Sequence, residues 1–87
     1  MNWTIKLSKK SVKNLAKINK VDRQKNLQFI NEILPSLDNP RNQGKALKGG
    51  LKLWRYRMGN YRLICEIKDQ ELIIVVVTLG HRKGVYK

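Results

Sequence analysis

The spacing of hydrophobic residues along the chain changes period twice. Trp3, Ile5 and Leu7 alternate with polar residues, the period of a strand with one buried face. After Ser8 the apolar residues fall three and four apart. Val12, Leu15 and Ala16 mark the inner face of a first helix, capped by Ser8 or Ser11. Leu27, Ile30, Ile33 or Leu34, and Leu37 mark that of a second, with Asp22 as its N-cap and Pro35 ending it near Leu34. The run from Asp38 to Gly44 is loop-forming throughout. Beyond it the period returns to two: Trp54, Tyr56 and Met58, then Tyr61, Leu63 and Cys65, on either side of a Gly59-Asn60 hairpin signal. Leu72 to Leu79 is apolar at both parities, which predicts a central strand. The order β-α-α-β-β-β predicts an α+β fold, two N-terminal helices packed on a small antiparallel sheet, as a single domain over residues 1–87.

The hairpin has a chemical consequence. A two-residue loop sets Met58 opposite Tyr61, Arg57 opposite Arg62, Tyr56 opposite Leu63 and Arg55 opposite Ile64. One face is then apolar, and the other carries Arg55, Arg57 and Arg62. Like charges directly across an antiparallel pair are unfavourable, so facing arginines imply a bound anion. Strand parity puts His81 on the same basic face, with Val77 and Leu79. A histidine among arginines is a candidate proton-transfer group.

Charge strengthens the anion reading. Nineteen Lys and Arg against six Asp and Glu give a formal +13 on 87 residues, a balance suited to a polyanionic partner. Lys9, Lys10, Lys13, Lys17, Lys20, Arg23 and Lys25 fall on the polar sides of the helices and read as solvated faces. A lone cysteine, Cys65, reads as a buried apolar residue in a reducing compartment. No secretory segment is expected, and the longest apolar run, Leu72 to Val77, is too short for a bilayer span of about 20 residues. A cytoplasmic protein with no membrane partner is therefore expected. One histidine and one cysteine provide no zinc set, and no paired carboxylates, catalytic serine grouping or nucleotide-binding fingerprint is visible. Neither metal nor cofactor is expected. What remains is cationic chemistry on a phosphodiester.

The segments Asn39-Pro40-Arg41, Gly44-Lys45-Ala46-Leu47-Lys48-Gly49, Leu53-Trp54-Arg55-Tyr56-Arg57, Gly59-Asn60-Tyr61-Arg62-Leu63-Ile64 and Gly80-His81-Arg82-Lys83-Gly84-Val85-Tyr86, in this order, resemble the RelE toxins of type II toxin–antitoxin systems, within the RelE/ParE superfamily. The resemblance implies an endoribonuclease that enters the ribosomal A site, cuts mRNA there without a metal by attack of the 2′-hydroxyl, and inhibits translation. It also implies a small cognate antitoxin, encoded adjacently. Arg55 and Arg57 match two cationic positions of the first hairpin strand. RelE has lysines there; arginine does not give up its proton, so both are assigned to phosphate binding, along with Lys48 and Lys52. Arg62 matches the arginine that holds the phosphate, and Arg82 the one that assists the leaving 5′-oxygen. Tyr86 matches the tyrosine that orients or deprotonates the 2′-hydroxyl, and His81 replaces a lysine as candidate acid or base. With only Lys87 after Tyr86, inhibition by displacing a C-terminal helix is not expected; the antitoxin would wrap the toxin or cover its basic face. Two alternatives share the fold: a ParE-like toxin that poisons DNA gyrase, and an inactive homologue that only binds antitoxin.

Overall fold

The computed structural model describes residues 3–47 and 52–81. Strand β1 (Thr4–Leu7) leads into α1 (Lys9–Lys17), whose N-cap is Ser8: its side chain accepts from the Ser11 amide at 3.0 Å. Ser11 and Leu15 are the buried residues of α1. Val12 is 51% exposed and Ala16 also faces outward, so the inner face expected from spacing is rotated by about one position. The reason is Ser11, whose hydroxyl donates to the Ser8 carbonyl and is satisfied in the interior without an apolar partner.

Helix α2 (Lys20–Gln28) is capped by Asn19, not Asp22. The Asn19 side-chain oxygen accepts from the Asp22 amide at 2.9 Å, and its amide donates to the Asp22 carboxylate at 2.8 Å. Asp22 thus occupies the third helical position, where a carboxylate favours the positive end of the helix dipole. The helix widens into a π turn at Phe29–Ile33 and tightens into a 3₁₀ turn at Leu34–Ser36, where Pro35 ends it as expected.

The sheet has five strands in the order β1-β5-β4-β3-β2, where β2 is Lys45–Ala46, β3 Leu53–Met58, β4 Tyr61–Lys68 and β5 Ile73–His81. Strands β2 to β5 are antiparallel, and β1 adds to β5 in parallel, so the sheet is mixed. The β3–β4 hairpin has the register derived from Gly59-Asn60, with all four expected pairs in place. One face packs on the helices: Trp54, Tyr56, Leu63, Cys65, Ile67, Ile74, Val76 and Leu79 join Trp3, Leu15, Phe29, Ile30 and Leu34 in one core. Cys65 is buried in it, and burial pushes its thiol up to about 12, which leaves it chemically inert.

Parity fails in β5. Leu63 pairs with Leu79 and Ile64 with Thr78, but Cys65 pairs with Val76, so Val77 is an extra residue at a bulge. Ser8 holds that bulge open by donating its hydroxyl to the Val77 carbonyl at 2.6 Å, and Asn14 of α1 accepts from the Leu79 amide at 3.2 Å. Beyond β1, then, α1 closes what would be an open sheet edge. The bulge turns Leu79 and His81 toward the helices and leaves Thr78 and Gly80 on the opposite face.

Candidate phosphate-binding site

Alternation about the core places Arg55, Arg57 and Arg62 together on the face away from the helices. Two cross-strand rows cover this face. In one, Lys45, Arg55, Ile64 and Thr78 run across β2, β3, β4 and β5; in the other, Arg57, Arg62 and Gly80 run across β3, β4 and β5. Glycine at position 80 presents no side chain beside Arg62. Arg57 is exposed, whereas Arg55 and Arg62 are partly buried. Ile64, paired with Arg55 and two residues along β4 from Arg62, is 7% exposed on a face that no helix among the described residues covers. Lys45, missed by sequence reasoning, lines a hollow of about 260 Å³ with Gly44, Arg55 and Arg57.

The loop before β2 is fastened to the sheet from behind. Tyr56 donates its hydroxyl to the Pro40 carbonyl at 2.6 Å, and the Trp54 indole donates to the Gln43 carbonyl. Arg41 holds the Asp69 carboxylate with both terminal nitrogens, at 2.6 and 2.9 Å, and its guanidinium lies 5.8 Å from the centre of a Trp54 ring. Of the Asn39-Pro40-Arg41 motif, then, Pro40 and Arg41 do structural work. Lys52 is exposed just before β3, at a separate hollow of about 500 Å³ with Glu66 and Asp69, and does not join the arginines.

His81 does not share the arginine face, contrary to the parity expectation. It pairs with Tyr61 on the helix side, ring centroids 5.7 Å apart and edge to face. Tyr61 in turn donates its hydroxyl to Asp22 at 2.8 Å. The bulge at Val77 is the cause, and the run Val75-Val76-Val77, apolar at every position, conceals it in the sequence. His81 nevertheless follows Gly80 directly, so its backbone borders the row of Arg57 and Arg62. Of the remaining expected site residues, Lys48, Arg82 and Tyr86 lie outside the described residues.

Two carboxylates are held below their ordinary value near 3.8: Asp22 first by the Tyr61 hydroxyl and then by Asn19, Asp69 first by its hydrogen bonds from Arg41. A depressed folded-state value contributes stability above the ordinary value and loses it as pH falls through the folded one. Stability is accordingly expected to decline below about pH 4, less steeply in Asp69→Asn than in the parent. Urea unfolding midpoints at several pH values measure this.

A sequence model of the family described as ParE toxin of the type II toxin–antitoxin system parDE matches residues 5–86. The chain belongs to that family. A RelE-like toxin protein of Escherichia coli is 27% identical over 85 residues, spanning 95% of this chain and 86% of that one. Among solved structures, the archaeal RelE–RelB complex of Pyrococcus horikoshii OT3 superposes with a TM-score of 0.76 at 28% identity, over 98% of this chain and 100% of that one. The toxin–antitoxin complex RelBE2 of Mycobacterium tuberculosis gives a TM-score of 0.83 at 23% identity, over 94% and 100%. At that identity the likeness is one of fold. These findings set this ParE-family toxin in the RelE/ParE superfamily that its motifs implied. Among its described residues, no helix is long and apolar enough to cross a membrane.

Proposed function

We propose that this ParE-family toxin is a ribosome-dependent endoribonuclease of the RelE type, active in the cytoplasm on mRNA in the ribosomal A site. The observation that carries the reading is the direct pairing of Arg57 with Arg62 on a sheet face left open by the helices. In the reaction a 2′-hydroxyl loses its proton and its oxygen bonds to the adjacent phosphorus. The bond to the 5′-oxygen then breaks, and that oxygen takes up a proton; the products are a 2′,3′-cyclic phosphate and a 5′-hydroxyl. Negative charge builds on the phosphoryl oxygens between these events. Two guanidiniums, planar, permanently charged and able to donate in pairs, stabilise it. Arg55 extends the binding surface along β3. Arginine cannot take the proton, so on the family resemblance its transfer from the 2′-hydroxyl is assigned to Tyr86 and stabilisation of the leaving 5′-oxygen to Arg82. The His81 ring, packed against Tyr61 on the helix side, takes no part unless the strand end re-aims it.

The test combines purified protein with end-labelled mRNA, free and on ribosomes with an open A site, with and without a chelator. Cleavage only on ribosomes, unaffected by the chelator and ending in a cyclic or 3′-phosphate, is the expected result. No cleavage by folded protein overturns the reading. A gyrase-directed toxin is the second reading, favoured by the family description itself; a supercoiling assay reports on it. An antitoxin partner follows from the RelB complexes of the relatives. Acidic character would complement the +13 charge, and the exposed Val12, Val21 and Ile33 offer apolar contacts. The product of an adjacent gene is expected to co-purify with the toxin.

A further inference from the structure

Lys45 stands directly opposite Arg55 in the β2–β3 pairing. It is the second directly opposed pair of cations on this face, after Arg57 and Arg62 on β3 and β4. Each pairing is unfavourable by itself, and an anion seated between or above the partners makes it favourable. The two pairs lie on opposite sides of β3, offset by the two residues from Arg55 to Arg57. That offset is about 6.8 Å along the strand and about 4.8 Å across it, so the pair centres lie about 8 Å apart. The distance is close to the length of one extended nucleotide.

The ground around the Lys45–Arg55 pair fits the same ligand. Its hollow of about 260 Å³ is smaller than the ~300–1,000 Å³ of drug-sized sites and on the scale of a phosphate with its ribose. Gly44 forms its floor without a side chain, in close contact with β3. Arg57 lines this hollow and also pairs with Arg62, so the hollow and the Arg57–Arg62 pair share one residue. Further along β3 the basic track stops, since the next row sets Leu53 opposite Glu66. Among the described residues on β3 and its neighbours, a polyanion on Arg57 and Arg62 therefore finds its next cations diagonally, toward β2.

We propose that Lys45 and Arg55 form a second phosphate seat, which holds the backbone of single-stranded RNA one nucleotide from the phosphate on Arg57 and Arg62. The inference rests on the endoribonuclease reading and adds to it a path for the RNA and a residue, Lys45, that binds without taking part in bond cleavage.

Fluorescence anisotropy with a 2′-O-methyl RNA hexanucleotide, which lacks the attacking hydroxyl, tests the seat. For wild-type protein, log affinity should fall linearly with log salt. Lys45→Gln is expected to flatten that slope by about 0.7, the value for one phosphate of a single strand. Lys45→Arg should restore it, and Lys45→Met should repeat the loss with the aliphatic stem kept. A dinucleoside monophosphate, with one phosphate to place, should compete equally well for wild type and Lys45→Gln. An unchanged slope in Lys45→Gln and Lys45→Met, with RNA bound by the wild type, overturns the second seat alone. Equal losses in Lys45→Gln and Lys45→Arg overturn it too, as an effect on β2 and not on charge. No RNA binding by folded wild-type protein overturns the seat, whereas the endoribonuclease reading is overturned only by absence of cleavage on ribosomes.

Discussion

Arg57→Thr is expected to lose about 10²–10³-fold in cleavage rate, the usual cost of removing one donor aimed at developing charge, while melting no lower than the parent. The two effects have opposite signs because the residue serves the anion and not the fold. Arg57 is exposed on β3 and directly opposite Arg62, a pairing that costs the sheet about 0.2–1 kcal/mol relative to a neutral pair. Threonine removes the repulsion and suits a strand. Arg57→Lys should fall between, since it keeps the charge but loses the two-pronged donor geometry. Cleavage on ribosomes and thermal melting of the same preparations measure both quantities. A variant that melts lower and cleaves normally would make Arg57 a structural residue and remove the basis of the site.

The second large effect separates two glycines. Gly44 and Gly59 both have left-handed backbone, with φ of +75° and +57°. At Gly59 nothing lies within 4 Å of where a Cβ would be, so only backbone conformation matters there. Asparagine tolerates that conformation, and Gly59→Asn is expected within about 0.5 kcal/mol of the parent. At Gly44 a Cβ would overlap the Arg55 carbonyl oxygen and press on the rings of Trp54 and Tyr56. Neither alanine nor asparagine escapes that contact. Gly44→Asn and Gly44→Ala are both expected to cost about 1–3 kcal/mol or more, read as a melting temperature lower by about 4–8 °C per kcal/mol. RNA binding should fall with them, because the displaced segment carries Lys45. Equal tolerance at the two positions would show that the loop is not pressed onto β3.

The site was legible where the sequence had a phase. Arg55, Arg57 and Arg62 sit on strands whose other face is apolar, and Gly59-Asn60 fixes the loop length, so their shared face and register followed from alternation. His81 was not legible, because its strand is apolar at both parities and a one-residue bulge leaves no mark there. Lys45 was missed for a different reason. A two-residue strand has no period, and only the close approach of Gly44 to β3 brings it into the sheet. The helix caps divide in the same way. Ser8 precedes the first apolar turn as the rule requires, while Asn19 and Asp22 both fit an N-cap by residue type, and their mutual hydrogen bonds decide between them.

By itself the sequence determined the α+β order, the hairpin register, the arginine face and the toxin superfamily, all of which depend on local spacing and residue type. Tertiary structure decided the parallel addition of β1 to β5, the bulge that Ser8 and Asn14 hold from the neighbouring helix, the face taken by His81, and the place of Lys45 beside Arg55. Each of these depends on contacts between residues far apart in the chain. Such contacts are set by how helix and sheet pack together, and the period of no single segment records them.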